Sequence, residues 1–244
     1  MLDGKFLFLV LMDPMLNWSM IVAMGLYQGV NPPMGWLLAS GRCLQQRSGR
    51  PLLGTIAALA WGHYLAMVAV LVPAALLLLW STLHPHSLVA SFVLRLDRAF
   101  VALAVVYAAF GAYKIIRPRH PIMLARIHPD RKIWWSFVMA FLHCGSPVMM
   151  LAPFFVLAAP YTTPMCGING TAYAMLALAL VVPAVMVVPL ASVALGIAWF
   201  VWRRLGLRAL TRVWLNFDLG WAVSYLVMAW MAVGMGRVGM GIGH

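Results

Sequence analysis

Glutamate is absent from the sequence, and aspartate occurs only as Asp3, Asp13, Asp97, Asp130 and Asp218. A chain this poor in carboxylates has no acid pair for general acid–base work, and any proton or cation chemistry has few positions to use. Cysteine is also scarce. Cys43, Cys144 and Cys166 show no CxxC spacing, and an odd number leaves at least one without an internal partner, so no structural disulfide is expected. Charged residues make up only 9% of the chain, against roughly 25% in an ordinary soluble domain. With no nucleophile and base pair and no cofactor fingerprint, the sequence does not read as an enzyme.

What the chain has instead is apolar residues, 64% of its 244 positions. This composition reads as an all-α, polytopic membrane protein whose first partner is the lipid bilayer. The net charge is +12, but the 17 Lys and Arg residues fall mostly in short segments between apolar runs. That distribution suits lipid headgroups on the cytoplasmic side and not a basic nucleic-acid face, so nucleic acid is excluded as a partner. The N-terminal KFLFLVLM (residues 5–12) is basic then apolar, but it is short and runs into Asp13-Pro14 without a small-residue cleavage site. Residues 1–16 are therefore expected to be an uncleaved interfacial segment.

Runs long enough to cross a bilayer, about 20 residues each, lie at 17–41, 52–80, 97–116, 133–158, 171–202 and 213–236. Lys and Arg favour the connections after the first, third and fifth runs by 13 to 4. By the positive-inside rule those connections are cytoplasmic, and both termini lie on the outer or periplasmic side of the inner membrane. The expected organisation is a three-helix unit at 17–116, a basic cytoplasmic connection at 117–132, a second three-helix unit at 133–236 and a tail at 237–244.

The two units share a pattern. WSMIVAMGLYQGVNPPM (residues 18–34) aligns with WSFVMAFLHCGSPVM (residues 135–149) across two gaps, with seven identities in fifteen positions, including the Trp-Ser start and a Gly-x-Pro break. Three spans separate the copies, so the second crosses in the opposite direction, which makes an inverted 3+3 repeat. Each copy carries a helix breaker in its first span: Gly29, Pro32 and Pro33 in one, Gly145 and Pro147 in the other. Proline inside a helix costs roughly 3 kcal/mol or more, and backbone freed by a break must face protein or a water-lined cavity. At 1.5 Å per residue, Asn31 lies about 21 Å into its span and His143 about 15 Å into its own, both near mid-membrane. Paired breaks at matching places in two inverted halves point to a transport site.

The polar residues near these breaks are the candidate substrate-binding groups: Gln28, Asn31, His63, His143 and Cys144. His63 lies well inside the second run with Gly62 beside it, which would let another helix approach. Under the repeat its counterpart falls near Ala179, so the halves are chemically unequal. Pro73 in the second span and Pro183 and Pro189 in the fifth are expected to bend those helices. Asp218, inside the last run, is the candidate for proton coupling, in competition with an ion pair to Arg212. No cofactor is expected. If an ion binds, His63, His143 and Cys144 would suit copper, zinc or nickel.

Two three-span halves, outer termini and the residues Gly29, Asn31, Pro32, Pro33, His143, Gly145 and Pro147 resemble the superfamily that joins LysE-type amino acid exporters, CcdA-type thiol carriers and NicO-type nickel and cobalt exporters. The resemblance implies a secondary transporter. A CcdA-type carrier would place a cysteine beside the proline in both halves, and only Cys144 is so placed. A NicO-type exporter would carry a His-rich loop and a richer His and Asp set in its first helix. The LysE type, an exporter of a small solute or ion, is the closest match. The alternatives are a metal-handling or redox accessory protein and a non-catalytic subunit of a larger membrane complex. The sequence also leaves a homo-oligomer open.

Overall fold

A computed structural model describes residues 14–30, 35–84, 102, 105, 106, 109, 113, 132–141, 146–162 and 167–205. Among these the structure is helical, with no strand. In chain order the helices are α1 (Pro14–Val30), α2 (Trp36–Gln45), α3 (Arg50–Leu83), α4 (Lys132–Met139), α5 (Ser146–Met149), α6 (Leu151–Ala158) and α7 (Gly167–Phe200). The fourth apolar run is thus divided among α4, α5 and α6. The third run is described at five helical positions, Ala102, Val105, Val106, Ala109 and Tyr113, all exposed and at the spacing of one helix face. The sixth lies outside the described residues.

α1 begins three residues before the expected span. Pro14 is its first residue, a position where the missing N–H costs nothing because a first-turn donor has no intrahelical partner. The first run is not one helix. Gly35 stands at φ 120°, in left-handed space that an L side chain rarely adopts, and α2 restarts immediately after it. A Cβ at Gly35 would also collide with the Leu59 side chain of α3.

α3 and α7 are each 34 residues long and run uninterrupted through Pro73 and through Pro183 and Pro189. Both are long and apolar enough to cross a membrane, yet only 28% and 39% of their most apolar stretches are buried. Leu53, Trp61, Leu76 and Trp80 of α3 and Val181 and Val188 of α7 face outward. A core helix of a soluble protein would hide such side chains. Surfaces this apolar on both sides are what a lipid solvent permits.

The two long helices match in more than length. Thr55, Leu59, His63, Ala66, Met67, Leu71 and Ala74 of α3 are buried, and 116 positions further on, at Thr171, Met175, Ala179, Val182, Pro183, Val187 and Leu190, so are their counterparts in α7. α3 and α7 cross antiparallel: Leu52 and Ile56 cluster with Ala194, Ala198 and Val201, while Met67 and Leu71 share a cluster with Met175 and Ala179.

The shorter helices pack onto this pair, α1 against α7 and α4 against α3. Glycines make both contacts close. Cβ atoms at Gly25 and Gly29 would strike the Met186 carbonyl and, at 2.6 Å, the Leu190 carbonyl. The two contacts climb both helices together, so α1 and α7 run parallel. A Cβ at Gly62 would strike the Ile133 carbonyl of α4 and lie 2.8 Å from Ser136 Cβ. Gly62 therefore admits a neighbouring helix, and Ser136 Oγ uses the proximity to donate a hydrogen bond to the Leu59 carbonyl. Dispersion contacts from such close approach, with hydrogen bonds between helices, are what hold helices together where lipid removes the hydrophobic drive.

Candidate functional site

The break in the first run leaves carbonyls of the last turn of α1 without intrahelical donors. One of them is satisfied from the far side of the break. The indole Nε1–H of Trp36, itself buried, donates to the Val30 carbonyl at 2.9 Å. Ser40 Oγ donates to the Trp36 carbonyl at 2.7 Å, fixing the first turn of α2. The break is therefore a built joint whose two ends are tied by side chains.

Just before that joint, two of the candidate residues meet. Gln28, two residues from the end of α1, and His63, in α3, are 3% and 1% exposed. The His63 Nε2 lies 3.2 Å from the Gln28 Oε1. A carboxamide oxygen only accepts, so the imidazole donates from Nε2, and the hydrogen bond selects that tautomer. Gln28 Oε1 is thus engaged, and its Nε2 points to the other side of the planar amide. At 1.5 Å per residue, Gln28 lies about 21 Å from the start of α1 and His63 about 20 Å from the start of α3.

A pair of this kind is costly to leave half made. The net worth of one such bond is about 1 kcal/mol, but removing one partner strands the other at roughly 1–3 kcal/mol. The α7 residue 116 positions after His63 is Ala179, buried and apolar.

The other candidates are placed as follows. Gly29 lies in α1 against the Leu190 carbonyl. Pro147 is buried in α5, in the interrupted stretch where α4 gives way to π-type hydrogen bonding at Ala140 and Phe141. Asn31, Pro32, Pro33, His143, Cys144, Gly145 and Asp218 lie outside the described residues. Among the described residues no three His, Cys, Asp or Glu side chains gather in one place.

Sequence reasoning missed four buried hydroxyls, Ser40 of the joint among them. Ser136 ties α4 to α3, Thr171 is 7% exposed, and Thr55 is fully buried with no hydrogen-bond partner for its Oγ1 among the described residues. Helical Ser and Thr give little signal in a sequence because they can bond back to their own turn. Cys43 is buried against α3 and α7, and burial pushes its thiol up from the ordinary range. That environment makes an inert core thiol.

The chain matches no protein-family model, no curated protein and no solved structure.

Proposed function

We propose that the chain is a multi-pass protein of the cytoplasmic membrane that exports a small solute as a secondary transporter, with six spans in an inverted 3+3 repeat. The observation that carries the reading is the Gln28–His63 hydrogen bond, a buried polar bridge between two helices at the foot of a broken span. Intramembrane ionisable residues are expensive and mark solute or proton paths, and carriers of this architecture bind cargo where a half-helix ends.

Three features support the repeat. α3 and α7 are of equal length and buried in phase. Each short leading helix packs on the long helix of the other half, as a two-fold axis in the membrane plane requires. α1 and α7 run parallel, which calls for an odd number of crossings between them; α3 is one, and the runs at 97–116 and 133–158 would supply two more. In this reading Asn31, His143 and Cys144 complete the site from the two breaks, and Asp218 is a coupling residue. The LysE-type exporters are the closest analogy for such a carrier.

Counterflow into proteoliposomes loaded with amino acids, divalent metal ions or sulfur compounds tests the proposal. Accumulation of at least one of these above protein-free vesicles, lost in His63→Ala and His143→Ala, is expected. Background rates for every probe would refute it.

A further inference from the structure

Resting on the membrane half of that reading and not on transport, we infer that the end of the bundle where α2, α3 and α7 meet binds the headgroup of an anionic phospholipid. The sequence puts arginine on both sides of this meeting point: Arg47 in the turn after α2 and Arg50 at the first position of α3, Arg203 and Arg204 in the π-helical turn Val201–Leu205 that follows α7. The fold brings the two pairs together. Leu52 and Val201 share a core cluster with Trp36 and Cys43, and a Cβ at Gly49 would lie 2.5 Å from the Trp202 ring. The Arg203 guanidinium in turn rests over that ring, 4.6 Å from its centroid. One indole thus joins the α2–α3 turn to the end of α7 and holds a cation beside it. All four arginines are exposed. The stretches that carry these helices, 14–96 and 131–217, contain no Asp or Glu.

Depth and the neighbouring side chains select a lipid. At 1.5 Å per residue α3 is about 50 Å long, close to the roughly 40–45 Å of a bilayer measured with its headgroups. At the other end of the antiparallel pair Trp80 and Tyr173 are exposed, amphipathic rings of the kind that favour a membrane–water boundary. The arginine end then falls at the level of the opposite row of phosphates. Next to the charges come apolar side chains. Leu53, three residues after Arg50, and Trp199 and Phe200, four residues before Arg203 and Arg204, are all exposed, and residues three or four apart share a helix face. A soluble anion such as phosphate would use the guanidinium groups alone. A phospholipid uses both parts, its phosphodiester on the arginines and its acyl chains along the apolar sides of α3 and α7. Basic clusters at this depth attract anionic headgroups, and the planar guanidinium fork matches phosphate oxygens.

The test uses the full-length chain in detergent micelles, with phosphatidylglycerol, phosphatidylcholine and inorganic phosphate as probes and bound molecules counted by native mass spectrometry. Phosphatidylglycerol should bind at least tenfold more tightly than either of the others. Arg50→Gln with Arg203→Gln should cut that preference at least threefold, and Arg47→Gln with Arg204→Gln, at two exposed positions, carries the same expectation if the first pair does not fold. Arg117→Gln with Arg119→Gln removes equal charge from another connection and should leave the preference within twofold of wild type. Equal affinity for the two lipids, inorganic phosphate bound as tightly as phosphatidylglycerol, or equal losses in the Arg50 and Arg117 pairs would overturn the site while leaving a membrane protein. A chain that stays dispersed in buffer without detergent or lipid would remove the membrane reading and this inference together.

Discussion

The Trp36 indole reaches back across the break in the first apolar run and donates to the Val30 carbonyl, so the residue that opens α2 also closes α1. The same residue packs with Ala39, Cys43, Leu52 and Ile56 against the far end of α7. A joint held in this way fixes where α1 ends, and therefore where Gln28 meets His63.

Trp36→Phe keeps most of the packing and deletes the donor. The Val30 carbonyl then loses its partner, and the variant should be less stable by about 1–3 kcal/mol. A lowered thermal midpoint in detergent is the expected result; an unchanged one would mean that the carbonyl finds another donor.

Gly62→Leu and Gly54→Leu should separate packing from propensity. A side chain at Gly62 meets the Ile133 backbone and Ser136, whereas a Cβ at Gly54 has nothing within 4 Å. The first should cost roughly 1–3 kcal/mol through overpacking. The second exchanges a poor helix former for a good one and should gain up to about 1 kcal/mol. Thermal midpoints of the two variants, measured side by side, decide the matter.

Cys43 is buried, with its thiol raised by burial. A raised pKa lowers the thiolate fraction at any neutral pH, and the thiolate is the reactive form. In a Cys144→Ser, Cys166→Ser background, maleimide should label the folded protein at least tenfold more slowly than the detergent-denatured chain at pH 7.5. Equal rates would show that Cys43 is reached from solvent.

Thr55→Val removes a hydroxyl that has no partner among the described residues and keeps the branched shape. Relieving an unmet buried polar atom should leave stability unchanged or raise it by about 1–3 kcal/mol. A clear loss of stability, read from the thermal midpoint, would mean that the hydroxyl is bonded in the protein in its membrane.

The apolar runs that became α3 and α7 were legible because a membrane helix declares itself by length and composition. So was the use of Gly62 for a close helix contact, whereas Asn31-Pro32-Pro33, the expected breakers of the first run, lie outside the described residues. Gly25 and Gly29 had a different legibility. They were visible as part of a broken segment, but their spacing of four, which places both on the face against Met186 and Leu190, is a helix-packing signal whose target lies far away in sequence. The Gln28–His63 pairing was accessible only as a convergence of polar residues; which nitrogen meets which oxygen is set by how α1 and α3 sit on α7. Nothing in the local sequence shows that Ser136 bonds α3 while Ser19, which also follows a tryptophan, bonds its own turn at the Met15 carbonyl. That difference arises from tertiary packing, since Gly62 lets α4 come close.

The most direct test is the double replacement Gln28→Leu with His63→Leu, followed by thermal midpoint and counterflow rate on the same preparation. Replacing both partners of a buried hydrogen bond by apolar groups is close to neutral for folding, so a purely structural pair would leave both readings intact. A site for cargo predicts an unchanged midpoint with flux at least tenfold below wild type. A double variant that carries solute as fast as wild type would contradict the account.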